Sequence, residues 1–480
     1  MQQISQAIQL HSRESTERVA MRLGDVRLTY GELPGRVLAC AASLSDLLPP
    51  ISEVRPVALV GGSTPGLAIH LLALWQLGYG VLPQSDRLPE AERRRVADQA
   101  GACATIYCKE EISASSTAES AEPLVLRGWI ALPSSGTTGL PKVVRRDSDA
   151  IDAVARQVYE SVGYRADDHV YASVPLTHAY GLEAGLLAPI VAGSTIELED
   201  AFTPSQLGPR LKATRSTIIT AVPAMIDMLV QMHGDEGIDA FPHLRRLLCA
   251  GAPLPDTLWH RCHDRLGLSA ANYYGATEMG SVCFADPETP GHDASWLGMP
   301  MPGVQMCILD PETHGPVEDG ELGEIAVASR SLMTGYIQAD GGLDQSSAFT
   351  EIDNQKFFLT GDLGRRFTDG HLQYFARRKL LIDVGANKVN PMEVEEILRL
   401  HPAVKDAMVS AERMNETINR LNAIVELHDL DATPTAGELR SHCRHHLAPW
   451  KVPRTFAFEK LPRTALGKVI RVKHEVSSVE

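Results

Sequence analysis

Ser134-Ser135-Gly136-Thr137-Thr138-Gly139-Leu140-Pro141-Lys142 is the most constrained stretch of this chain. Gly136 and Gly139 let the backbone turn tightly and bring N–H groups near an anion. The hydroxyls of Ser134, Ser135, Thr137 and Thr138 donate hydrogen bonds, and Lys142 adds a point charge. That is the composition of a loop that wraps a polyphosphate, so nucleotide chemistry is the leading reading. The spacing is not that of a Walker A loop, which closes on Gly-Lys-Ser/Thr. A functionless Ser/Gly/Thr surface loop has a similar make-up, so the flanking sequence has to carry the decision.

Around this loop, short β-branched or apolar runs (Pro56 to Val60, Thr217 to Ala221, Leu244 to Cys249) alternate with helical segments such as Leu67 to Leu77 and Pro223 to Met232. The alternation predicts an α/β fold with parallel strands. Beyond Pro300 the texture changes to Gly- and Pro-punctuated strands near Val304 to Leu309 and Glu324 to Ala328, as in a smaller β-rich subdomain. From Leu380 a compact α+β tail follows. In it a helix from Pro391 to His401 starts on Pro and carries Glu393 and Glu395 in its first turns, at the positive end of the helix dipole. Ser113 to Glu122, rich in Ser, Ala and Glu, reads as an exposed loop.

A chain of 480 residues exceeds one ordinary core and accommodates two or three subdomains. Forty-five basic against sixty acidic residues give a net charge of −15, which argues against nucleic acid or an anionic membrane as the main partner. No stretch approaches the roughly 20 apolar residues of a membrane span, and Met1 to Glu17 lacks the basic-then-apolar order of a signal peptide. Cytoplasm is the expected address. The eight cysteines lie scattered, which predicts reduced, mostly buried thiols. His442, Cys443, His445 and His446 cluster without a common zinc spacing and read as a solvated helix.

The order of motifs resembles the acyl-adenylate-forming superfamily, the AMP-binding enzymes that include acyl- and aryl-CoA ligases, peptide-synthetase adenylation domains and luciferases. The resemblance runs through Leu28-Thr29-Tyr30-Gly31-Glu32-Leu33, the phosphate loop, Tyr274-Gly275-Ala276-Thr277-Glu278, Thr360-Gly361-Asp362, Arg377, Gly385 to Glu395, and Pro462-Arg463-Thr464-Ala465-Leu466-Gly467-Lys468. It implies a large N-terminal AMP-binding domain of parallel and mixed sheets with helices over 1–376, a hinge at 377–379 and a mobile α+β C-terminal domain over 380–480.

Further implications of the resemblance concern single residues. Glu278 matches a Mg²⁺-holding carboxylate, Thr277 a phosphate-contacting hydroxyl, and Lys468 the catalytic lysine that bridges the substrate carboxylate and the α-phosphate. Gly251-Ala252-Pro253 forms a wall for adenine, with Tyr273 and Tyr274 offering rings and Asn272 an amide. Asp362 accepts the ribose hydroxyls, with Arg377 beside it. Lys379 is the pivot, and Gly385 lines the channel for a pantetheine arm. His178, Tyr180 and Gly181 in Pro175-Leu176-Thr177-His178-Ala179-Tyr180-Gly181 border the acid. Ala179 stands where catechol- and salicylate-activating relatives carry Asn, and no Asp awaits an α-ammonium, so an uncharged aromatic or acyl acid is expected.

Departures from the pattern are Val143 after Lys142, Ala376 and Ala386 for common glycines, and Asp383 for a common Lys. They put the tightness of phosphate binding and the thiolation geometry at issue. The expected activity is an ATP- and Mg²⁺-dependent acid–thiol ligase that transfers the acyl group to coenzyme A. Delivery to the phosphopantetheine of a carrier protein is the main alternative. A luciferase-like oxygenase and a non-catalytic nucleotide- or adenylate-binding protein are the remoter ones.

Overall fold

The runs read as strands and helices take those forms with small shifts at their ends: strands at Val57–Val60, Ile218–Ala221 and Arg246–Cys249, helices at Pro65–Leu77 and Pro223–His233. These come from a computed structural model that describes residues 1–108, 123–134, 142–200, 202–289, 294–338, 342–345, 348–384, 387–413, 419–428, 434–463 and 469–471. The chain divides into two compact units. The first comprises Met1–Cys307, Ala326–Thr360 and Phe367–Leu372, the second Ile308–Ile325, Gly361–Arg366 and Gln373–Glu480.

Local rules explain the helices of the first unit. Pro65–Leu77 has Pro in its first turn, a Thr64 side chain that accepts the Leu67 N–H, and Gly78 closing it at φ +93°. It is apolar on every face and correspondingly buried. Among the described residues, two sheets carry the elements of the first unit named here. In one, strands Thr195–Leu198, His169–Ala172, Ile218–Ala221, Arg246–Cys249 and Ala270–Ala276 lie side by side and parallel, and Gly280–Ala285 turns back against the last of them. In the other, a seven-stranded sheet, Trp129–Pro133 lies parallel to Gly80–Gln84 and antiparallel to Val143–Arg146, which also pairs with Gly335–Ile337.

The chain order places the first sheet's ligand crevice. After His169–Ala172 the chain moves to one side, to Thr195–Leu198, then returns across it to Ile218–Ala221 on the other. Such a switch leaves a crevice outside the carboxyl ends of the two central strands. The segments that leave those ends here are Ser173–His178 and Val222–Pro223.

In the second unit, Val404–Arg413 pairs antiparallel with Asn419–Leu427, which pairs parallel with Thr455–Phe458. Helices Pro391–Arg399 and Ala436–His446 supply Val394, Leu398, Leu439 and Cys443 to the core on this sheet. The first is capped by Asn390, whose side chain accepts the Met392 N–H. The second begins with a capping box between Thr435 and Glu438. Its His442 ring lies against His401 and His446 and bonds the Ile397 carbonyl at 2.8 Å. All eight cysteines are free thiols. Among the described residues, no helix is long and apolar enough to cross a membrane.

Candidate active site

The phosphate loop is the connection of a hairpin. Its flanking strands pair Pro133 with Val143, and the Ser134 N–H donates to the Lys142 carbonyl at 2.7 Å, closing the loop at its base. Ser135, Gly136, Thr137, Thr138 and Gly139, together with Gly385, Ala386 and Lys468, lie outside the described residues. Lys142 is exposed, and its Nζ stands 4.3 Å from the centroid of the Tyr336 ring. Tyr336 is delivered by the strand that flanks Val143–Arg146, opposite Val144. The same tyrosine donates its hydroxyl to Glu278 Oε1 at 3.3 Å. One side chain therefore joins the loop's lysine to the carboxylate expected to hold a cation.

Thr277 and Glu278 sit in the tight reversal between Ala270–Ala276 and Gly280–Ala285, where Ala276 pairs with Gly280. Both are half-buried. The Met333 N–H donates to the Glu278 carbonyl at 2.7 Å, which anchors its backbone while the carboxylate remains accessible. Among the described residues no three His, Cys, Asp or Glu side chains gather as a metal site. A hard cation here would draw on Glu278 oxygen and on ligands a substrate brings, the usual mode for Mg²⁺.

The residues expected to border the acid lie on the segment that leaves the carboxyl end of strand His169–Ala172. His178 heads helix Ala179–Leu182 with extended backbone. Its ring is exposed to solvent, yet burial among surrounding protein holds its pKa below the ordinary 6.5. With its pKa lowered, the imidazole is neutral at neutral pH. Tyr180, in that helix, donates to the Leu248 carbonyl at 3.1 Å, and its ring lies tilted against that of Tyr273, with centroids 5.2 Å apart. Gly181 is buried. A Cβ there would come within 2.2 Å of the Pro175 carbonyl, so its glycine serves close backbone packing rather than contact with the acid.

The residues expected to form the adenine wall lie together at one strand end. Gly251, at φ +85°, and Pro253 are exposed at the end of Arg246–Cys249, with Ala252 half-buried between them. Asn272 does not fit the expectation. Its amide nitrogen donates to the carbonyls of Ala294 and Trp296, at 2.9 Å each, so the donor half of an adenine contact is already used and the side chain braces the next strand. Tyr273 and Tyr274 cannot share one ligand either, because successive strand residues face opposite sides. Tyr273 lies against Tyr180, while Tyr274 is half-buried on the other side of the strand.

In the second unit Arg377 Nη1 meets Asp362 Oδ1 at 2.9 Å, with Asp362 buried and Arg377 more open. Lys379 is exposed within the short turn Arg378–Leu380. Sequence reasoning missed Glu324. Buried on its strand, it accepts the Gly361 N–H at 2.9 Å and pairs with Arg378 at 3.0 Å, fixing the neighbours of both Asp362 and Arg377. A glutamate facing inward on an otherwise apolar strand was the available signal. Tyr336 was missed as well, because nothing local in Gly335–Ile337 marks it.

The model of the AMP-binding enzyme family matches residues 8–128 and 130–337, and that of the AMP-binding enzyme C-terminal domain matches 393–468. The chain belongs to the AMP-binding enzymes. Among curated relatives, an oxalate–CoA ligase of Arabidopsis thaliana is 30% identical over 72% of this chain and 66% of that protein, so the chain spans just under two thirds of it. A 2-succinylbenzoate–CoA ligase of Geobacillus kaustophilus is 29% identical over 95% of this chain and 94% of that one. A feruloyl-CoA synthase of Amycolatopsis is 28% identical over 96% of each. The o-succinylbenzoate-CoA synthetase of Bacillus subtilis, solved with its acyl-adenylate intermediate, superposes with TM-score 0.82 at 25% identity, covering 99% and 98% of the two chains. ATP-bound MatB of Rhodopseudomonas palustris shares the fold, with TM-score 0.84 at 22% identity and 97% of each chain covered.

Within this family the departures acquire physical explanations. The Val143 side chain is fully buried in a cluster with Trp129, Ala131, Leu82 and Ile337, so its bulk is taken up by the core beneath the loop. Ala376 is likewise fully buried. Asp383 is exposed and pairs with Lys388 at 2.9 Å across the hairpin Ile382–Val384 to Asn387–Val389.

Proposed function

We propose that the chain is an AMP-forming acid–thiol ligase that activates an aryl or acyl carboxylate as its adenylate and passes the acyl group to coenzyme A. The reading is carried by the contiguity of Lys142, Tyr336 and Glu278 at the base of the phosphate loop. In the first half-reaction a carboxylate oxygen bonds to the α-phosphorus of ATP and pyrophosphate leaves. In the second a thiol sulfur bonds to the acyl carbon and AMP leaves with the electron pair.

Lys142 neutralises the phosphates, and Ser134, Ser135, Gly136, Thr137, Thr138 and Gly139 cradle them. Thr277 donates to a phosphate oxygen, and Glu278 would hold Mg²⁺, which supplies charge neutralisation for the departing pyrophosphate. Lys468 bridges the reacting carboxylate and the α-phosphate. Asp362 and Arg377 hold the ribose, Tyr274 and Gly251–Pro253 the adenine, and neutral His178 with Tyr180 borders the acid. Residues 377–379 hinge the 1–376 and 380–480 domains, and Gly385 lines the thiol channel. The curated relatives aligned over nearly their whole length act, by name, on 2-succinylbenzoate and ferulate, which favours an aromatic acid.

Pyrophosphate–ATP exchange across benzoates, cinnamates and fatty acids of graded length tests the first half-reaction. Exchange with none of them by folded, ATP-binding protein refutes it. Thioester formation with coenzyme A against a carrier protein tests the second. Lys379→Pro should spare exchange and slow thioester formation, and equal loss of both refutes the hinge.

A further inference from the structure

Among the described residues, the most deeply buried ion pair of the first unit lies outside the chemistry above. Arg146 and Glu183 are each 2% exposed and joined through Nη1 and Oε1. The other carboxylate oxygen of Glu183 accepts the Ser281 N–H at 3.1 Å and the Ser281 hydroxyl. The guanidinium lies against Gly280. A Cβ there would stand 2.8 Å from Nη2, and the backbone φ of +70° independently favours glycine.

Three separate stretches of chain meet at this carboxylate. Arg146 ends the strand that leaves the phosphate loop after Lys142. Glu183 follows the helix headed by His178 and opens the π-helical turn Glu183–Leu187, a distortion often found where a helix serves a site. Ser281 follows Glu278 in the metal hairpin. Strand, helix and hairpin are stiff over these short distances, so the position of the meeting point is transmitted to Lys142, His178 and Glu278.

Stability does not account for the pair. Burying two charges costs more than their attraction commonly returns, and Arg146 Nε and Nη2 find no acceptor among the described residues. Apolar side chains of similar volume would fill the space at least as well. They would not fix register, which directional charge-assisted bonds do.

On the adenylation reading above, we propose that Arg146, Glu183 and Ser281 form a positioning clasp that aligns the phosphate loop, the acid recess and Glu278 for attack on the α-phosphorus. None of the three touches substrate. They act through Lys142, His178 and Glu278, where a displacement near 1 Å is costly to rate.

The double substitution R146M/E183Q breaks the strand-to-helix link, leaves no buried charge unpaired and keeps an acceptor for Ser281. Its thermal midpoint should stay within a few degrees of wild type, while kcat for pyrophosphate exchange falls roughly 10–100-fold, the usual effect of removing partners behind a reacting group. A native midpoint with wild-type kcat and KM overturns the clasp. Should the double variant not fold, Ser281→Ala, which removes only the hydroxyl, provides the test. A several-fold loss of kcat at an unchanged midpoint supports the clasp, and unchanged kcat overturns it. If wild type exchanges no acid, the adenylation reading fails and calorimetric ATP affinity decides the clasp: weaker binding by R146M/E183Q supports it, equal binding overturns it.

Discussion

Glu278 and Asp362 are carboxylates of different units, both proposed above to serve the nucleotide, yet each unit surrounds its own in an opposite way. Glu278 sits half-buried in a hairpin reversal, with one long hydrogen bond from Tyr336 at 3.3 Å. Asp362 is 6% exposed and closely paired with Arg377 at 2.9 Å. A carboxylate that must bind a cation gains from keeping its oxygens accessible, whereas one that accepts neutral hydroxyls can be buried and oriented by a fixed partner. Local environment therefore separates two roles that residue type alone does not.

The contrast predicts a graded set of losses. Glu278→Ala should be the most severe, lowering kcat for pyrophosphate exchange roughly 10²–10³-fold, the scale of removing a group that stabilises developing charge. A loss under threefold at saturating Mg²⁺ would break the distinction. Asp362→Ala should act on binding and raise the KM for ATP roughly 10–100-fold, as expected for lost hydrogen bonds to a charged group. An effect on kcat alone, with KM unmoved, would place Asp362 elsewhere in the reaction. Tyr336→Phe, which removes a single hydroxyl from Glu278, should cost about 3–10-fold in Mg²⁺-dependent activity. No change would mean that the Lys142–Tyr336–Glu278 contact is incidental.

The smallest expected effect concerns His178. Because its pKa is held below 6.5 in the folded protein, the unfolded chain binds its proton more readily. The contribution is complete above 6.5 and declines as pH falls through the lowered folded value. His178→Gln should therefore flatten the loss of stability between neutral and mildly acidic pH in denaturant titrations. An unaltered slope would argue that the ring is not desolvated.

Much of this site was legible before any coordinates. Glycines and hydroxyls at Ser134–Lys142 announce an anion loop because only such residues allow close backbone approach. Continuous apolar runs alternating with helical segments located the parallel strands, since burial on both faces demands such runs. Tyr336, Glu324 and Glu183 were not legible, because each works through a partner distant in sequence. The surroundings of Asn272, Tyr273 and Tyr274 were illegible for a related reason. Sequence shows that an amide and two rings are present, but strand alternation and the carbonyls of Ala294 and Trp296 determine where they point.

Sequence by itself determined the family of this protein: membership of the AMP-binding enzymes follows from residue types in order along the chain, with a Ser/Gly/Thr loop closed by Lys142 and the Tyr-Gly-Ala-Thr-Glu motif among them. Those features are local, fixed by turn geometry and side-chain chemistry within a few residues. Which groups stay free to react and which are spent on one another was decided only by tertiary structure. That outcome depends on desolvation and on the directional hydrogen bonds formed when distant strands and helices meet.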